Sequence, residues 1–107
     1  GVFSMKELTD ADFKDFIGQK KPSIVDFWAP WCGPCRISSP IFDELSKEFA
    51  GKIEFAKMNV DENPETPGKF GIFSIPTFLI FREGGQIGEI HGAIPKADFK
   101  EKLKEHI

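Results

Sequence analysis

The chain has no tyrosine, two cysteines and two histidines in 107 residues. Each shortage excludes something. Two cysteines cannot staple a small secreted scaffold, which needs several bridges. His91 and His106 stand far apart in sequence and in no ligand pattern, so no metal is expected. With twelve phenylalanines and no tyrosine, most of the aromatic bulk lacks a hydroxyl and suits a packed core. No apolar run is long enough to span a bilayer. No charged-then-apolar leader opens the chain, and no G-x-G-x-x-G fingerprint marks a nucleotide site. The formal net charge of −3 argues against nucleic acid or an anionic membrane as a partner. No linker, repeat or low-complexity stretch divides the chain. Residues 1–107 are expected to form a single domain with one core, and a monomer.

Both cysteines fall in one segment, Trp31-Cys32-Gly33-Pro34-Cys35. Around it the hydrophobic pattern alternates between strands and helices. Thr9-Asp10-Ala11-Asp12 resembles a capping box with Asp in place of Glu, and Leu8 can staple onto Phe13. Phe13, Phe16 and Ile17 continue at helical spacing until Gly18. The almost wholly apolar run 23–29 predicts a central strand covered on both faces. Ile37, Ile41, Leu45 and Phe49 predict a helix that begins near the cysteines and closes at Gly51.

A strand is expected over 53–60. Asn63 as cap and Pro64 at the first position then start a helix that Pro67-Gly68 keeps short. Thr77–Arg82 predicts a strand, 83–86 a glycine turn, and 87–91 the returning strand. Pro95 opens a last helix with Phe99, Leu103 and Ile107 on one stripe. Strand–helix units followed by a hairpin imply an α/β fold with a mixed sheet and helices on both faces.

The cysteine segment lies where a strand gives way to a helix. Gly33 allows the tight approach, and Pro34 suits a first helical turn, where its missing N–H has no partner. Cys32 then meets free N–H groups and the positive end of the helix dipole, which favour thiolate, the attacking species in disulfide exchange. Cys35, one turn further in, is expected to be more buried. Cys32 is therefore the candidate nucleophile and Cys35 the candidate resolving thiol. Three other readings compete. A structural clip closing four residues would contribute only about 2 kcal/mol in the chain-entropy picture. Zinc would want about four ligands. Two unrelated free cysteines would not require the Gly-Pro filling. A close pair in this context also fits a reducing compartment.

The stretch Asp26-Phe27-Trp28-Ala29-Pro30-Trp31-Cys32-Gly33-Pro34-Cys35-Arg36, with Pro40 beyond it, resembles the active-site block of the thioredoxin family. Lys57, Val60-Asp61, Asn63-Pro64, Ile75-Pro76-Thr77, Phe81, Gly84 and Gly92 extend the resemblance over nearly the whole chain. It implies the thioredoxin fold, a central mixed sheet of about five strands flanked by four helices. It also implies a protein-disulfide reductase and electron carrier with a redox-active Cys32–Cys35 disulfide and no bound cofactor. Its partners would be disulfide-containing target proteins and a thioredoxin reductase, NADPH- or ferredoxin-linked. The expected compartment is the cytoplasm, or an organelle matrix if Gly1 is a processed start. A non-catalytic binding subunit using the same docking face is the alternative.

Other residues take roles beside the pair. Asp26 is a lone carboxylate in an apolar strand; burial should raise its pKa and fit it as general base for Cys35. By resemblance, the Lys57 ammonium lies near Asp26 and tunes it. The Ile75–Pro76 bond is cis by resemblance, faces the cysteines and presents the Ile75 backbone to an extended substrate. Trp31, Gly33, Pro34, Ile75, Gly92 and Ala93 would make the docking surface, with Trp28 packed beneath. Pro40, inside the helix, removes a hydrogen bond to the Arg36 carbonyl and should bend it. Departures from the family pattern are Ser38-Ser39, Phe73 and His91. Ser39 either bonds back to the Cys35 carbonyl or is simply solvated. Phe73 either extends the docking surface or folds inward. His91 is read first as an inert strand histidine, with a modest pH dependence of activity as the sharper alternative.

Overall fold

Residues 5–107 are described by a computed structural model; Gly1, and with it the expectation of a processed start, lies outside them. The order of elements is β1 (Lys6–Glu7), α1 (Phe13–Ile17), β2 (Ser23–Trp28), α2 (Gly33–Glu48), β3 (Glu54–Asn59), α3 (Glu65–Lys69), β4 (Thr77–Arg82), β5 (Gly85–His91) and α4 (Lys96–Lys104). The strands form one sheet in the order β1-β3-β2-β4-β5. β1 and β2 run parallel to β3, and β4 runs antiparallel to β2 and β5. This is the five-stranded mixed sheet with four helices that the resemblance implies.

Alternation along the strands divides the core into two layers. Ile24, Phe55, Phe78 and Ile80 turn to one face and pack with Phe42 and Leu45 of α2 and Phe99 and Leu103 of α4. Val25, Phe27, Met58, Leu79 and Phe81 turn to the other and pack with Phe13 and Ile17 of α1. The phenylalanines supply most of the contact. Phe42, Phe78 and Phe99 meet with centroids 4.8–6.3 Å apart on the first face. Phe13, Phe70 and Phe81 meet at 5.5 Å on the second. Full burial of such a side chain stabilises by roughly 2–3 kcal/mol, so the tyrosine-free composition serves both layers.

The capping box before α1 forms: the Thr9 N–H donates to Asp12 Oδ1 at 2.7 Å and the Asp12 N–H to Thr9 Oγ1 at 3.4 Å. Several other expectations shift. β1 was not anticipated from its residues; it is two exposed residues with no apolar signal. Ile37 is 66% exposed, and the buried face of α2 runs through Ser38, Phe42 and Leu45 instead. Steps of four residues advance about 400° and so drift 40° each time, which carries Ile37 off the face that Phe49 occupies. Ile107 lies beyond the end of α4 and is 54% exposed, so it leaves the stripe of Phe99 and Leu103.

The start of α3 is also held differently. The Asn63 side chain bonds back to the Leu8 and Asn59 carbonyls, and Pro64 is the cap residue. The free N–H groups of Glu65 and Thr66 are met by Asp10, whose carboxylate also accepts from the Thr66 hydroxyl. Partial burial opposes the charge of Asp10, but these hydrogen bonds outweigh it and hold its carboxyl below the ordinary value. The β4–β5 turn is tighter than expected. Only Glu83 and Gly84 stand between the strands, at φ 50° and 88°, and β5 begins at Gly85. Two positive-φ residues are what the twist of a two-residue hairpin demands.

Candidate active site

Strand pairing alone assembles the polar floor of the site. Asp26 on β2 is in register with Lys57 on β3, and Lys57 with Glu7 on β1. In a parallel pair, residues in register share a face, so Glu7, Lys57 and Asp26 form one row across three strands. The row continues from Asp26 to Phe78, where the sheet turns apolar. Asp26 is 1% exposed, and its buried Oδ1 has no hydrogen-bond partner. Burial pushes its carboxyl up to about 7; Lys57 opposes the rise, and Glu7 and Asp43 add to it. Burial also raises Glu7, with Lys57 working against it.

The roof is the first half of α2. Cys32 caps the helix with extended backbone, φ −84° and ψ 111°, and Pro34 falls in the first turn. The Cys35 N–H donates to Cys32 Sγ at 3.1 Å. The two sulfurs are joined as a disulfide, with the Cα atoms 5.3 Å apart. Arg36 braces the strand-to-helix turn by donating to the Pro30 carbonyl at 2.9 Å. α2 continues unbroken through Pro40 to Glu48. The expected contrast in burial between the cysteines is absent: Cys32 is 3% and Cys35 4% exposed in the disulfide. What separates them is what they face. Cys35 lines a cavity of about 260 Å³ together with Asp26, Lys57, Glu7, Trp28 and Ser39. Cys32 Sγ lies 3.7 Å from the Ile75 carbonyl oxygen.

Lys57 is near Asp26 but bonded elsewhere. Its Nζ donates to Ser39 Oγ at 2.6 Å and pairs with Asp43 Oδ1 at 3.4 Å. The expected back-bond to the Cys35 carbonyl comes from the Ser38 hydroxyl, at 3.2 Å, and not from Ser39. Ser38 points into the core, so its hydroxyl has only its own helix to bond to.

Around the sulfurs, Trp28 and Ile75 pack against Ala29, Cys32 and Cys35, with Trp28 half-buried beneath them. The Ile75–Pro76 bond is cis, and Pro76 is buried. Gly92 sits at φ 76° and donates its N–H to the Pro76 carbonyl at 2.9 Å, which ties the 92–93 turn to that loop. Trp31, Gly33, Pro34 and Ala93 are exposed. Trp31 is 67% exposed and is steadied by a 3.0 Å hydrogen bond from Nε1 to Asp61. Phe73 turns fully outward. His91 is exposed and lies 3.3 Å from Glu89 on its own strand; it borders a hollow beside Phe73 and Thr77, and not the cavity of Asp26.

Glu7, Asp43 and the Lys57–Ser39 bond join the site only through the fold. The signal for part of this was present: Cys35, Ser39 and Asp43 are spaced by four and so share one side of a helix. Among the described residues, no three His, Cys, Asp or Glu side chains gather as a metal would need, and no helix is long and apolar enough to cross a membrane.

A cysteine pair that closes a disulfide at the head of a helix, beside a buried acid, defines a dithiol–disulfide exchange domain. The sequence model of the thioredoxin family matches residues 4–105, and the chain belongs to that family. It is 55% identical over 107 residues to the chloroplastic M-type thioredoxin of Pisum sativum, covering 99% of this chain and 62% of that protein. It is 44% identical over 102 residues to a thioredoxin of Synechocystis, covering 94% of this chain and 95% of that one. A Haemophilus influenzae thioredoxin is 46% identical over 101 residues, with 94% of each chain covered. The chain thus spans under two thirds of the pea protein and nearly all of the other two. Family and geometry together make it a thiol–disulfide oxidoreductase of the dithiol reductase class. Neither lends support to the alternative of a non-catalytic binding subunit.

Proposed function

We propose that the chain reduces disulfides of target proteins in a fixed order, Cys32 first and Cys35 second. Cys32 thiolate attacks one sulfur of the target; a Cys32–target disulfide forms, the target disulfide breaks, and the displaced thiolate takes a proton from solvent. Cys35 then gives its proton to Asp26 and attacks Cys32 Sγ. The mixed disulfide breaks, the second target thiolate leaves and is protonated, and Cys32–Cys35 closes. Two electrons and two protons pass to the target. The observation that carries this order is that the Asp26 carboxylate shares its cavity with Cys35 and not with Cys32. A base with pKa near 7 is matched to a thiol at neutral pH. Cys32 has what a first attacker needs: the N-cap position, with a backbone N–H and the helix dipole to stabilise charge on Sγ.

Lys57 tunes Asp26 through its charge. Trp31, Gly33, Pro34, Ile75, Gly92 and Ala93 offer a mainly apolar rim to an extended target segment, which the Ile75 and Pro76 backbone aligns. Trp28 and Pro40 fix the floor and the helix. No bound cofactor enters the cycle, so a separate thioredoxin reductase, NADPH- or ferredoxin-linked, returns the pair to the dithiol. The protein works as a monomer in a reducing compartment, the cytoplasm or an organelle matrix. The test is electron counting. The fully reduced protein, mixed with an excess of a protein disulfide and no other reductant, will transfer two electrons per chain and end as the intramolecular disulfide. Recovery of the protein still reduced, with the target disulfide intact, would overturn the reading.

A further inference from the structure

Lys57 faces two carboxylates besides Glu7, and a serine decides between them. Its side chain rises from β3 on the α2 side of the sheet and is only 13% exposed. Asp26 lies beside it in register, and Asp43 stands on α2 at 46% side-chain exposure. The ammonium has three protons to place. One goes to Ser39 Oγ at 2.6 Å and another toward Asp43 at 3.4 Å, while Asp26 Oδ1 stays without a hydrogen bond. Lys57 therefore acts on Asp26 across the cavity, through space, at a distance set by where its ammonium is moored. Ser39 is the neutral mooring point. It lies between Cys35 and Asp43 on one side of α2, facing the strand row below.

We propose that Ser39 is a positioning residue: its hydroxyl holds the Lys57 ammonium over the cavity and keeps it from being drawn outward to Asp43. The functional consequence rests on Asp26 acting as base for Cys35, as read above. Without the hydroxyl, the ammonium is left with one close partner, the half-exposed Asp43 carboxyl group. It moves toward that partner and away from Asp26. The groups that face Asp26 are few: Lys57 from β3, Glu7 from β1, and Cys35, Arg36 and Asp43 from α2, with the apolar Phe78 on β4. Arg36 also lines the cavity, but its guanidinium is turned to the Pro30 carbonyl, so moving the Lys57 ammonium outward weakens the charge that opposes the rise at Asp26.

The test follows the Asp26 carboxyl directly by ¹³C NMR of the oxidised protein between pH 4 and 10. In Ser39→Ala, its midpoint will rise by roughly half a pH unit, the scale of moving a unit charge an ångström or two at an effective dielectric near 20. Ser39→Thr, which keeps the hydroxyl, will restore the parent midpoint. In a Lys57→Met background, Ser39→Ala will add no further shift. An unmoved or lowered midpoint in Ser39→Ala, or an equal shift with and without Lys57, overturns the proposal. The rate at which target leaves the mixed disulfide is recorded on the same variants. If the Asp26 midpoint moves and that rate profile does not, Ser39 positions Lys57 as proposed, and Asp26 is not the base for Cys35.

Discussion

Asp26→Leu will gain stability over the parent by about 4 kcal/mol between pH 4 and pH 8. The oxidised parent holds a carboxyl whose value is raised from 3.8 to about 7, chiefly by burial. In the unfolded chain the same group titrates near its ordinary value. Between those two values the unfolded state has released its proton and the folded state has kept it. The unfolded state then binds fewer protons, so unfolding becomes easier as pH rises. The loss begins near pH 4, accumulates through pH 7, and is flat above. Its size follows from a rise of about three units at 1.36 kcal/mol each. Leucine has nothing to titrate, and it fills space beside a cavity that the carboxylate only borders. Urea denaturation of both proteins at pH 4, 6 and 8 measures the difference. A gap between them that stays constant with pH would mean that Asp26 ionises freely in the folded protein.

Both single serine variants, Cys32→Ser and Cys35→Ser, will lose multiple turnover, falling to the background rate of dithiothreitol with a protein disulfide. They will differ in the first encounter. Cys35→Ser keeps the capped nucleophile and will consume one target disulfide per chain, at a rate of the parent's order of magnitude. Cys32→Ser leaves Cys35 facing the Asp26 cavity, without the N-cap position, and its first encounter will fall to background as well. Stopped-flow mixing of the reduced variants with a protein disulfide separates the two cases. Comparable first-encounter rates in both variants would remove the distinction between the sulfurs.

β4 was readable to the residue, Thr77–Arg82, because both its faces are buried and a glycine turn follows. The cysteine turn was readable because Gly33 and Pro34 mark a strand-to-helix junction. β1 was not, since Lys6 and Glu7 are exposed and carry no apolar pattern. The buried face of α2 was misplaced because Ser38, small and polar, occupies a core position that a search for apolar residues passes over. The cap of α3 was assigned to the nearby Asn63, whereas the hydrogen bonds come from Asp10, 55 residues away.

The site divides the same way. Asp26 stood out as one carboxylate in an apolar run. Its pairing with Lys57, and the addition of Glu7 to the row, depend on strand order and register, which no local pattern encodes. Ser39 stands out in the sequence as a departure from the family pattern, but neither a back-bond to Cys35 nor a solvated side chain describes it. Its hydroxyl meets a lysine that reaches it only once β3 lies under α2. Phe73 was readable as either inward or outward, and the fold turns it out.

On the proposed mechanism the two sulfurs have fixed and different tasks. Covalent trapping separates those tasks. Reduced Cys35→Ser and reduced Cys32→Ser are each incubated with the same protein disulfide, quenched in acid and weighed intact by mass spectrometry. Cys35→Ser will accumulate a one-to-one covalent adduct through Cys32, stable until a reductant is added, while Cys32→Ser will stay at its own mass. Equal adduct in both variants, or adduct only in Cys32→Ser, would contradict that mechanism.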